Sequence, residues 1–321
     1  TTANSNVSVG NSALYYNETG NFNVAIGRDS MGGASGESHS SNTAVGYASL
    51  MTITTGTLNV AIGANALDAV TTATRNVAVG SGAGGGTTSS GGVFIGNFAG
   101  SAANVDNVVL IGRDAGASVT GAGNLAIGYT ALGVHTTGAR NMAIGYGAMN
   151  DTDAGSTSLG SDDNIFIGYD AGGGTWADAA SNQNVAIGNY AMDSALDGAL
   201  YNTTVGYASL SSLTTGDNNT ALGHQAANAI TTAAGNIAIG NSAMLVHTTG
   251  DYNIAIGSSA MDNTDAGSTA LSSTENIFMG RNAGGGTWAD AASNYNIAIG
   301  GLSMDDALDG ALGNTSLGYY T

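Results

Sequence analysis

The residues able to do chemistry here are few and mostly of one sign. Asp and Glu number 23 against five Arg and no Lys, which gives a net charge of −18, and there is no Cys. Absence of Cys removes thiolate metal sites, thiol nucleophiles and disulfides. Acidity without lysine gives no footprint for a phosphate backbone, so nucleic acid is not an expected partner. The acidic side chains cluster in loops, at Asp151-Thr152-Asp153 and at Asp262-Asn263-Thr264-Asp265. Hard oxygen donors on a turn suit Ca²⁺, so Asp151, Asp153, Asp262 and Asp265 are candidate calcium ligands. The second loop carries Asn263 where the first has Asp151, and a solvated acidic loop is the competing reading. The only two tryptophans lie in Gly172-Gly173-Gly174-Thr175-Trp176-Ala177-Asp178 and in its copy Gly284–Asp290. An aromatic plate beside a carboxylate suits a sugar ring and its hydroxyls. Trp176, Asp178, Trp288 and Asp290 are therefore candidate glycan-binding residues, with each indole folding back as a lid as the alternative.

The remaining candidates for catalysis are poor. His135 and His247 stand where other copies of the repeat carry Ile, Val or Leu, which is the pattern of packing residues. No serine–histidine–carboxylate set can be assembled from chain order. The glycine run Gly80–Gly86 has no following helical pattern and no Lys, so it reads as a turn and not as a phosphate loop. An enzyme is not expected, and no resident cofactor is expected apart from the candidate Ca²⁺. No run of about 18 apolar residues is present, so no membrane insertion is expected of this segment.

What must position all of these residues is a repeat. The pattern Asn-apolar-small-apolar-Gly, followed after two free positions by Ala or Ser, occurs 18 times between Gly10 and Gly318, most often 17 residues apart. A longer period of 112 residues lies over it and relates Trp176 to Trp288 and His135 to His247. No linker interrupts the series, and the chain begins and ends inside the pattern. We therefore expect one continuous solenoid over 1–321, a segment of a longer fibrous protein. Each copy holds only about five patterned residues, rich in β-branched types and closed by glycine, which predicts a short strand. A short strand re-entered every ~17 residues predicts parallel stacking in an all-β solenoid. Segments such as Ile53-Thr54-Thr55 and Leu213-Thr214-Thr215 suggest a second strand in each coil.

Comparing the copies with one another adds a packing expectation. The position two before the repeat glycine is usually small, but it is Phe94, Leu110, Phe166 and Phe278 in four coils. In those four the position four after the glycine, elsewhere usually Leu or Met, is Gly100, Gly116, Gly172 and Gly284. Large and small trade places, as neighbours in one packed space must. Gly84, paired with Ala78, leaves that space unfilled on this reckoning. Side chains alternate across a strand, so the shared space lies opposite the Val/Ile pair three and one before the glycine. Two apolar faces on one strand call for a second chain. The expectation is a trimer with Ala61, Ala126, Ala143 and Ala238 lining its axis.

The segments Asn59–Ala66, Asn124–Ala131 and Asn236–Ala243 resemble head repeats of trimeric autotransporter adhesins of the YadA type. Asn42-Thr43-Ala44-Val45-Gly46 and Thr214-Thr215-Gly216 are similar to repeats of phage tail-fibre proteins. The resemblance covers essentially the whole chain. It implies a left-handed parallel β-roll, three chains about one axis, and duty as shaft and attachment surface. The place so implied is extracellular, on a virion tail fibre or a bacterial cell surface, with a cell-surface glycan or another receptor as partner. The coils are longer and more variable than in the autotransporters, and no stalk or anchor is visible. A purely structural extracellular filament without a receptor is the alternative.

Overall fold

The computed structural model describes residues 3–33, 35–152, 160–176, 179–264, 272–288, 291–306 and 308–321. All regular structure among them is β: 18 strands of three residues each, with no helix. They fall into two compact units, Thr1–Asp153 and Ala154–Thr321. The first unit holds nine strands, from β1 (Val7–Val9) to β9 (Met142–Ile144), and the second nine, from β10 (Ile165–Ile167) to β18 (Thr315–Leu317). Within each unit every strand pairs in parallel with the next in sequence, so each unit is a β-solenoid. Register places like on like: Val60, Ala61 and Ile62 lie beside Val77, Ala78 and Val79.

The repeat glycine is dictated by the closeness of successive coils. Gly223 has φ +140°, and a Cβ on it would lie 2.4 Å from the carbonyl oxygen of Gly240 in the next coil. Backbone of that kind is essentially restricted to glycine, and the approach excludes any side chain. Beyond it, the second and fourth residues adopt the left-handed conformation, as at Asn65 (φ 55°) and Leu67 (φ 51°). Alternating conformations aim successive amides in opposite directions. Asn65 N–H accordingly donates to Tyr47 O in the coil before, at 2.9 Å, and Leu67 N–H to Ala83 O in the coil after, at 3.0 Å. Left-handed backbone costs a non-glycine residue roughly 1–2 kcal/mol. These axial hydrogen bonds and the complete burial of Leu67 offset that cost.

Among the described residues the second strand does not form, and parallel pairing on the return side is limited to isolated bridges such as Ser40 with Thr57. At Thr54-Thr55-Gly56 three successive N–H groups converge on one oxygen, Thr71 O, at 2.9, 3.3 and 3.1 Å, and Thr54 Oγ1 donates to it as well. Thr214, Thr215 and Gly216 do the same to Thr231 O. A strand must alternate donors and acceptors along its edge. Converging amides make a turn, so these coils have one strand each, with the turns stacked opposite it.

The asparagine four before the repeat glycine builds an internal ladder. Asn219 donates from its backbone N–H (2.9 Å) and from Nδ2 (3.1 Å) to Asn202 Oδ1, and from Nδ2 to Ala233 O (2.8 Å) on the turn side. Its own Oδ1 receives the two corresponding bonds from Asn236. Each buried amide thus ties its coil to the one before and to the facing turn. The ladder breaks where the sequence departs from Asn. Gly92 N–H still takes Asn76 Oδ1 at 2.8 Å, but neither Gly92 nor Val108 has a side-chain amide to extend the column.

The interior follows the trade of volumes. A Cβ on Gly172 would lie 2.6 Å from the Phe166 ring, and one on Gly100, Gly116 or Gly284 would be closer still to Phe94, Leu110 or Phe278. All four large residues are fully buried, opposite the half-exposed pair that flanks them. Gly84 corrects the one gap expected from the sequence. Leu67 and Phe94 of the coils on either side reach the place its side chain would take. The trimer-axis expectation is also corrected in one respect. Ala61, Ala126, Ala143 and Ala238 are fully buried in their own units, on the interior side of the strand. Alternation leaves the Val/Ile pair, not the alanines, facing outward.

Candidate functional site

Burial decides what each candidate side chain can do. Trp176 and Trp288 are each 1 % exposed. They pack on Phe166 and Phe278 with ring centroids 5.6 and 5.5 Å apart, both at 59°. Trp176 Nε1 donates to Gly172 O at 3.1 Å, whereas the buried Trp288 Nε1 finds no partner. The glycines that make room for the phenylalanines also let the indoles fold over them. Neither indole therefore presents a face on which a sugar could stack, and both belong to the core. Asp178 and Asp290, the carboxylates of the same candidate site, lie outside the described residues.

The acidic loops are only partly described. Asp153 and Asp265 lie outside the described residues, and Asp151 and Asp262 are half-buried. Burial pushes the Asp262 carboxyl above its ordinary value against a hydrogen bond from Ser259. Burial raises Asp193 likewise, and the charge of Asp170 pushes the same way. Among the described residues no three His, Cys, Asp or Glu side chains come together to hold a metal.

His135 and His247 are interior residues, as their positions in the repeat predict. His135 Nε2 lies 3.0 Å from Gly138 O and Nδ1 lies 2.6 Å from Thr152 Oγ1. Nε2 also lies 3.1 Å from Asn141 Nδ2, so at that nitrogen the ring meets both a carbonyl acceptor and an amide donor. His247 repeats the arrangement with Gly250 O at 2.8 Å and Thr264 Oγ1 at 2.9 Å. Each imidazole bridges its own turn to the next coil, which an aliphatic residue there cannot do.

His39 is buried differently. It is 1 % exposed, its Nδ1 has no partner, and burial lowers its pKa from 6.5 to about 4. The unfolded chain takes up this proton near pH 6.5, whereas the folded chain refuses it until about pH 4. Stability must then fall as pH drops through that window, by about 3 kcal/mol in all. Raised carboxylates such as Asp193 act in the opposite sense, so the comparison is made against His39→Gln. Urea midpoints at neutral pH and near pH 4 should show the wild type losing about 3 kcal/mol relative to the variant. An unchanged difference would show that His39 is not charged on unfolding.

Two surfaces are left over once the core is assigned. The first is a column of rings. Tyr169, Tyr190, Tyr207 and His224 follow one another at centroid separations of 5.3, 5.8 and 5.3 Å, the last pair stacked at 12°. Tyr129 and Tyr146 stack at 4.9 Å, and Arg113 lies over Tyr129 at 4.4 Å. These rings pack on one another along the coils, edge to face in the Tyr169–Tyr190 and Tyr190–Tyr207 pairs, and Tyr146, Tyr169 and Tyr207 each keep more than two-fifths of their surface exposed. The second surface is the outer face of the strands. Ile62, Ile187, Val205 and Ile299 are between 37 and 41 % exposed, and the residues three before the glycine are mostly half-exposed Val or Ile. In each unit these form a double, largely aliphatic row: the residue just before the repeat glycine is apolar in every strand, and the one three before it is Thr at Thr43, Thr203, Thr220 and Thr315. Their signal is legible in the sequence as the Val/Ile pair, but only the burial of the alanines shows which face needs cover. No protein-family model matches the chain, and no curated protein matches it.

Proposed function

We propose that this chain is a non-enzymatic segment of an extracellular homotrimeric fibre, a left-handed roll serving as shaft and attachment surface of a phage tail or a bacterial cell. The observation that supports it best is the double aliphatic row. An interior already filled within each unit leaves a second, largely apolar face along the strands, and exposed apolar surface that recurs in this way marks an association site. Three copies meeting along it would bury the row, with the net charge of −18 on the remaining surface keeping fibres apart. The resemblance of the repeats to adhesin heads and tail fibres points the same way.

Light scattering on the purified chain should give three times the chain mass. Ile62→Asp with Ile187→Asp should give folded monomers, because the charges fall on the outer face and not in the core. A monodisperse, folded wild-type monomer at micromolar concentration would overturn the trimer. The purely structural filament gains from one finding: the indoles are buried, so the sugar-stacking plates of the receptor reading are missing. Adherence of the purified trimer to cells would favour attachment, and its absence the filament.

A further inference from the structure

The first unit carries a concavity that none of the repeat logic explains. It is about 480 Å³ and is bordered by Tyr15, Tyr16, Asp29, Glu37 and Met51, with Gly32 and Gly33 giving it depth. That volume suits a small molecule. None of its lining residues belongs to the double aliphatic row, so assembly through that row does not use them. Tyr15 and Tyr16 stand at 87° with centroids 4.7 Å apart, a right-angled aromatic corner. Met51, in the third coil, is about two-fifths exposed (41 %) although it is large and apolar enough to be buried.

The polar part of the lining is one-sided. The hydroxyl protons of Ser12, Thr52 and Thr54 are already donated, to Asn11 Oδ1, Asp68 O and Thr71 O. The charged side chains of the wall are both carboxylates, Asp29 and Glu37, and its aromatic side chains are Tyr15 and Tyr16. Arg28 Nε holds one oxygen of Asp29 at 3.1 Å, but Arg28 is not part of the wall. A positive group with a compact alkyl body needs only aromatic faces and negative charge, the arrangement that recognises ammonium ions.

We propose that this concavity binds a small organic ammonium ion, its alkylated head in the Tyr15–Tyr16 corner and its charge facing Asp29 and Glu37. The proposal is independent of fibre assembly and goes beyond it.

Choline chloride is the probe, titrated calorimetrically into the whole chain, with its uncharged carbon isostere and N-acetylglucosamine as comparisons. Choline should bind saturably with a Kd on the order of 1 mM or tighter, and the isostere about tenfold more weakly or not at all. Tyr16→Ala and Glu37→Gln should each weaken choline by about tenfold. Both side chains lie outside the core, and the isostere comparison on the wild type stands even if a variant misfolds. Absence of saturable choline binding, equal binding of the isostere, or saturable binding of the sugar in its place would overturn the proposal.

Discussion

Phe166→Ala should destabilise the second unit by about 3–5 kcal/mol, and adding Gly172→Leu should recover most of the loss. The single change empties a fully buried site and removes the surface on which Trp176 packs. Collapse is resisted because the strand is held against β11 (Val185–Ile187) by parallel pairing, so the cavity persists. The rescue follows from the chain's own solution elsewhere. Ala61 is matched by Leu67, and Leu67 holds a left-handed φ of 51° close to the 62° of Gly172. Leucine can therefore take the glycine's backbone once the ring is gone. Gly172→Leu alone should be at least as damaging as Phe166→Ala, because its Cβ would lie 2.6 Å from the ring. Urea denaturation of the four proteins gives the coupling energy directly. Additive losses in the double variant would mean that the two positions do not share one space.

The second large effect is expected in the asparagine ladder. Asn219→Leu removes the acceptor for Asn236 N–H and the donor to Ala233 O, both of them buried. Each orphaned group costs about 1–3 kcal/mol, so a loss of about 2–5 kcal/mol is expected. Asn219→Asp should not be milder at neutral pH. A buried carboxylate would face Asn202 Oδ1 and Ala233 O, two acceptors at hydrogen-bonding distance. In a solenoid each coil leans only on its neighbours, so exchange of amide hydrogens should accelerate first at Asn202, Asn219 and Asn236. Uniform acceleration across the second unit would show a wider cooperative block than nearest-neighbour stacking allows.

The legibility of this protein differs from residue to residue for physical reasons. Gly, Asn and the Val/Ile pair recur because one backbone geometry is used again and again, and each use has the same steric demand. The short parallel strand at each copy could be read directly. So could the partnership of Phe166 with Gly172, since internal copies report compensating volumes as a set of mutants would. The Thr-Thr-Gly segments were misleading because β-branched residues favour extended backbone only when amides can alternate, and here three of them share Thr71 O or Thr231 O. The candidate Trp sites depended on whether a glycine run frees a ring or makes room beneath it, which composition does not distinguish. Tyr15 and Tyr16 gave no signal at all, because they fall outside the repeat and become neighbours of Asp29, Glu37 and Met51 only when coils stack. Sequence alone thus determined the period, the strand and the interior volumes, all set by contacts between equivalent positions in neighbouring coils. Tertiary structure decided which strand face is interior and which side chains border a cavity, because both depend on where the return turn places residues far apart in the chain.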